Sequence, residues 1–210
     1  MRDRSALAFE GHQGQRLLRD DYRRDFRQRD EKITGRDSWK FERRQHFEEP
    51  GSPSWEAFQS GDWDGALRLM AEKGATHWSR VVRERGERDS VFHRVRVVEE
   101  PLTSYLQWEL NSLRFQAEHG VPVRVASGDR LKALEASAPL PEIVVLGSQV
   151  LYEVVYTEAG VLDGGIRFAD SGLIGRWEGF IKELYEDGED ITSYVDRHVA
   201  HLPPPRAEGE

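Results

Sequence analysis

The sequence predicts an α/β or α+β protein, with helices packed on a mixed β-sheet. Three observations lead there. β-branched runs recur, among them "RVRVV" (94–98), "VPVRV" (121–125) and "EIVVL" (142–146), the composition expected of strands. Between the first two, Leu102, Leu106, Leu110 and Leu113 return every three or four residues, as on one face of a helix. A strand, helix and strand in that order imply a parallel crossover, whereas the runs flanking "LGSQ" and the later "GGIRFAD" imply an antiparallel extension.

Taken in order, residues 16–32 are dense in charge, with Leu17, Leu18, Tyr22, Phe26 and Ile33 spaced to share one helical face. "WKFERRQHF" (39–47) alternates large apolar and charged side chains, as a half-buried strand does. Pro50, Gly51 and Pro53 break periodicity before a short helix near Ser54 and a second over about 64–73. Residues 76–84 read as strand or helix, and 91–98 as a clearer strand. Pro101 ends that strand, Thr103 or Glu100 can cap the leucine-striped helix, and Gly120 should end it. Asp129 is placed to cap a further short helix. Leu173, Trp177, Phe180, Ile181 and Leu184 form a broad stripe on a late helix, and 190–202 can continue the helical packing. The expected organisation is a charged amphipathic N-terminal extension over 1–36, a main domain over 37–202 and a flexible proline-rich tail over 203–210.

Composition narrows the function. A 38% hydrophobic content with six tryptophans suffices for a core beside 32% charged residues. The chain has no cysteine, which excludes disulfides, thiolate nucleophiles and cysteine metal sites and fits a reducing cytoplasm. No stretch reads as a signal peptide or a membrane span. The net charge of −8 opposes nonspecific attraction to nucleic acid, leaving only a local basic face open. The first 50 residues hold 13 basic and 11 acidic side chains, too balanced to supply a uniform positive field.

The strongest candidate site is polar. Glu42 lies in "WKFERR", Arg94 and Arg96 share one face of a strand, and Tyr105 and Glu109 are one helical turn apart. Three readings stay open: a structural ion-pair network, solvated charges, or a ligand pocket. As an enzyme, Glu109 would be the general base, Tyr105 a proton donor or orienting group, and Arg94 or Arg96 the anion stabiliser, with no nucleophile identified. The seven histidines form no zinc motif; His198 and His201 are three apart, but no third ligand is marked. "GHQGQR", "GSQ" and "GGI" lack a dinucleotide fingerprint, and no nucleophile elbow surrounds Ser148 to join it with Asp163 and His198. No cofactor is implied.

The segments "DSWKFERRQHFEE", "VRVVEEPLTSYLQWELNS", "VPVRVA" and "PEIVVLGSQVLYEVVY" resemble a domain-of-unknown-function family of actinobacteria, over roughly 37–184. "PLTSYLQWE" is its most distinctive stretch, carried here by Pro101, Leu102, Tyr105, Trp108 and Glu109. Members are often encoded beside small helix-turn-helix regulators, so the resemblance implies a domain acting with such a regulatory protein and brings no catalytic mechanism. The element order also resembles phospholipase-D-like regulatory domains, although the paired histidine–lysine motifs are absent, which implies a noncatalytic half-domain.

Two functions are therefore expected to compete. One is a cytoplasmic regulatory or protein-interaction module that docks a partner through an exposed aromatic face or through the amphipathic helix over 16–32, with Leu18, Tyr22 and Phe26 as its candidate contacts. The other is a small-molecule sensor or enzyme built on Glu42, Arg94, Arg96, Tyr105 and Glu109. A deep pocket at those groups favours the second; a packed interior beside an exposed apolar groove favours docking.

Overall fold

The computed structural model describes residues 4–206; positions 207–210 of the expected tail lie outside them. One eight-stranded mixed sheet organises the chain. Its strands are β1 (Gln15–Leu18), β2 (Ser38–Glu42), β3 (Phe92–Val98), β4 (Val123–Ser127), β5 (Glu142–Leu146), β6 (Val150–Tyr156), β7 (Leu162–Phe168) and β8 (Glu189–Asp190), in the spatial order β1-β7-β6-β5-β2-β3-β4-β8. β2, β3 and β4 are parallel, and the other pairings are antiparallel. The helices are α1 (Arg19–Asp30), α2 (Pro53–Gln59), α3 (Trp63–Lys73), α4 (Ser79–Gly86), α5 (Ser104–Glu118), α6 (Ser171–Glu186) and α7 (Ile191–His198).

The parallel crossover forms where the leucine stripe predicts it. Thr103 caps α5, its hydroxyl accepting from the Leu106 amide at 3.1 Å, and Gly120 leaves the helix at φ +93°. Leu106, Leu110 and Leu113 then pack with Val123 and Val125 of β4 and with Ile191 and Val195 of α7.

Four elements differ from the sequence reading, each for a local reason. The helix expected over 16–32 is divided, because Leu17 and Leu18 pair with Gly165 and Gly164 at the sheet edge before α1 starts. The ambiguous 76–84 segment is helical, formed by a π turn at Gly74–Trp78 that runs into α4. The strand expected over 39–47 stops at Glu42, since the Arg43 and Arg44 amides turn to the Glu142 carboxylate. After Ser127 there is one 3-10 turn, Gly128–Leu131, capped by that serine rather than by Asp129; Glu135 is drawn onto Arg43 instead of prolonging a helix.

Residues two apart share a sheet face, so β2 sends Trp39 and Phe41 to one side and Lys40 and Glu42 to the other. The first side, with Val95, Val97, Ile143 and Val145, packs against Leu173, Trp177, Phe180 and Ile181 of α6. α5 covers the second. β2 is consequently buried on both faces, and its charges do not face solvent as a half-buried strand would place them.

At the opposite edge, Gly164 adopts φ +139°, and a Cβ there would lie 2.1 Å from the Leu17 carbonyl oxygen. Gly164→Ala is expected to lower stability by about 1–3 kcal/mol in urea unfolding and to speed amide exchange in β1. Unchanged exchange at Leu17 and Leu18 would show that this close approach does not hold the strand.

Candidate functional site

The face beneath α5 carries a layer of charge. Register places Glu42 beside Arg96 and Lys40 beside Arg94 on the parallel β2–β3 pair, and β5 brings Glu142 to the other flank of β2. Arg94 grips Glu42 with two groups, Nη2 to Oε1 at 2.8 Å and Nε to Oε2 at 3.1 Å. Lys40 Nζ reaches the same carboxylate at 2.6 Å. Arg94 Nη1 donates to Gln116 Oε1 on α5 at 2.7 Å.

Arg96 is wholly buried and donates from Nε to Glu109 Oε2 at 2.6 Å. Its Nη1 meets the backbone carbonyls of Glu42 and Val97 at 3.3 and 3.1 Å, while Nη2 has no hydrogen-bond partner among the described residues. Tyr105, one turn before Glu109, is also buried and directs its hydroxyl to Glu49 in a long 3.5 Å contact. Glu142 Oε1 accepts from the Arg43 and Arg44 amides at 2.8 and 2.6 Å; its buried Oε2 has no partner among the described residues.

Burial and neighbouring charge set the proton affinities. Burial alone would raise the Glu42 carboxyl, but Arg94, Lys40 and Arg96 outweigh it and hold the group well below the usual carboxylate range. Glu109 goes the other way: burial, joined by the nearby Glu42 charge, exceeds the attraction of Arg96 and raises it. Burial pushes Glu142 up to about 7, only partly opposed by the two backbone donors and Arg96. Glu49 is raised by burial and then by Glu109. Burial and the same carboxylates raise the proton affinity of the Tyr105 hydroxyl, so at neutral pH it keeps its proton and can donate a hydrogen bond.

A cavity of about 150 Å³ opens beside this layer, lined by Glu49, Ser54, Arg94, Tyr105, Glu109 and Ser112 among others. α2 contributes Ser54, α3 contributes Lys73, and α5 contributes Tyr105, Glu109 and Ser112. Trp108 of α5 fixes α2 by donating from Nε1 to the Ser54 carbonyl at 3.2 Å. The cavity thus offers carboxylates, cations and hydroxyls together, which suits recognition of a small polar molecule.

All five polar candidates from the sequence, Glu42, Arg94, Arg96, Tyr105 and Glu109, are brought into this one neighbourhood. Lys40, Glu49, Gln116 and Glu142 join them without having been singled out. Lys40 was legible as the residue two before Glu42 on the same strand face; Glu142 was not, because its approach depends on which strand pairs with β2. Leu18, Tyr22 and Phe26 do not form one exposed face. Leu18 ends β1 and is 67% exposed, whereas Tyr22 and Phe26 turn onto Tyr152 of the sheet, with ring centroids 5.4 and 6.0 Å away.

Fold and site together define a mixed α/β domain with a layer of ion pairs enclosed between sheet and helix. The chain belongs to the family described as domain of unknown function DUF6879, whose model matches residues 24–196. That span reaches into α1 and α7, further than the quoted segments alone, and includes the whole charge layer. A comparison with curated proteins gave no match. Among the described residues, no helix is long and apolar enough to cross a membrane.

Proposed function

We propose that the protein is a regulatory module that senses a small polar molecule in the cavity beside Glu109. The observation that carries this reading is the cavity itself, where accessible polar groups border a charge layer whose members are otherwise engaged with one another. Glu49 and Glu109 are both raised by burial and repel each other. An ammonium group beside them would relieve that repulsion, and Arg94 and Lys73, which also line the cavity, suit a carboxylate. The expected ligand is therefore a compact amine or amino-acid-sized zwitterion.

Occupancy has a route to a response, since the cavity is walled by three helices and a ligand touching all of them would tie α2 and α3 more firmly to α5. A partner protein reading that packing, of the helix-turn-helix kind that the sequence resemblance implied, completes the regulatory reading in a cytoplasmic setting. Docking through Leu18, Tyr22 and Phe26 has less support, as two of the three are already packed on Tyr152. Nucleic-acid binding by α1 has less still, because Arg24 pairs with Asp21 and Arg29 with Asp25 on the same helix.

Thermal shift followed by calorimetry with a panel of small amino acids and diamines tests the sensing role. At least one member should stabilise the protein, Glu49→Gln should weaken it by about tenfold, and Ser112→Leu should abolish its binding by filling the cavity while the variant still melts cooperatively. Stabilisation that survives Ser112→Leu unchanged, or a panel with no binder, would remove the proposal.

A further inference from the structure

On the far side of Arg94 and Trp78, which border both spaces, a second and larger cleft of about 470 Å³ runs between α1 and α4. Phe26, Val81, Val82, Phe92 and Val121 make its lining predominantly apolar, and Lys40 and Arg94 of the sheet line it as well. The volume falls within the ~300–1,000 Å³ typical of small-molecule sites.

Those two cations share one direct partner. Lys40 and Arg94 both pair directly with the single carboxylate of Glu42, while Glu49 and the buried Glu109 act on them only through space. The other cation of the lining, Arg85, is already matched by Asp30. His77 adds none at neutral pH, because burial, helped by Lys73 and Arg80, lowers its proton affinity. An ammonium has three protons to donate, and the bond to Glu42 engages one of those on Lys40. Lys40 itself lines the cleft, beside its hydrocarbon and aromatic side chains.

We infer that this cleft binds a free amphipathic monocarboxylate, its anionic head on Lys40 and Arg94 and its apolar body against α1 and α4. The head gives Lys40 and Arg94 a second direct partner through a charge-assisted hydrogen bond, and the body removes Phe26, Trp78, Val81 and Val82 from water. A neutral head would forgo that charge-assisted bond, and a cationic head would face the two cations. This site does not rest on the sensing cavity described above.

Calorimetric titration of the full chain with octanoate, 1-octanol and octylamine tests the inference. Octanoate should bind at least about tenfold more tightly than octanol, the increment expected of a hydrogen bond to a charged group, with octylamine weakest. Lys40→Met should reduce octanoate affinity by about tenfold and leave octanol unchanged, since Arg94 still holds Glu42. Val81→Trp should weaken both ligands by narrowing the cleft, and it decides the question if Lys40→Met fails to fold. Equal affinity for octanoate and octanol, no octanoate binding up to its solubility, or full octanoate binding by folded Val81→Trp would overturn the inference. So would a tetrapeptide ending in leucine that binds more than about tenfold tighter than octanoate, which would assign the cleft to a protein C-terminus.

Discussion

Arg96→Met should lower unfolding free energy by about 3–5 kcal/mol, the cost of leaving a buried charge without its partner. The guanidinium is fully enclosed, bonded to Glu109 at 2.6 Å and to two backbone carbonyls. Its removal strands the Glu109 carboxylate at a position where burial and the Glu42 charge already raise its proton affinity. Glu42 itself stays held by Arg94 and Lys40, so the damage centres on Glu109. That carboxylate should respond by taking up a proton, making the loss smaller at pH 5 than at pH 8. Removing both charges in Arg96→Met/Glu109→Met should recover most of the stability, because two apolar side chains avoid the desolvation that the ion pair requires. Urea unfolding of the two single variants and the double variant gives the coupling directly. If the double variant loses as much as the singles added together, Arg96 and Glu109 do not act as a unit.

The same pair shows how much of the site could be read from sequence. Arg94 and Arg96 are two apart on a strand, and Tyr105 and Glu109 four apart on a helix; those periods assign faces without any knowledge of the sheet. Pro101 and Thr103 then place the start of the helix, and the short link between strand and helix brings the two faces together. Lys40 follows from the same strand period, but the alternation in "WKFE" implies only a half-buried strand and cannot reveal that a second helical layer covers its charged face. Glu142 and Glu49 depend on longer-range information. One arrives through the antiparallel β2–β5 pairing, which strand patterns alone leave undetermined, and the other through an irregular segment with no period. The division of 16–32 into β1 and α1 was hidden for a related reason. Leu17 and Leu18 fit a helical face, and only the glycine edge of β7, with Gly164 and Gly165 opposite them, converts them into a strand.

Glu142→Gln should flatten the dependence of stability on pH. The folded carboxyl is raised from its ordinary 4.5 to about 7, chiefly by burial. A group raised in this way contributes stability that is complete below the unfolded value and is lost as pH climbs through the folded one. Wild-type protein should therefore lose on the order of 3 kcal/mol relative to the glutamine variant between about pH 4.5 and 8. The glutamine oxygen can still accept from the Arg43 and Arg44 amides that Glu142 Oε1 holds, while its amide cannot ionise. Glu109 and Glu49 also titrate with folding, but they are common to both proteins, so the difference between the two unfolding curves isolates Glu142. A difference that stays constant from pH 5 to 8 would show that Glu142 does not change charge in that range. If the difference appears, the proton on Glu142 becomes a variable charge one strand away from Glu42 and two from Arg96. Its loss above neutrality would add a negative charge to the layer and weaken the attraction of Lys40 and Arg94 for an anion. Octanoate affinity should then fall with rising pH in the wild-type protein and remain level in Glu142→Gln, a comparison made by repeating the titrations at pH 6 and 8.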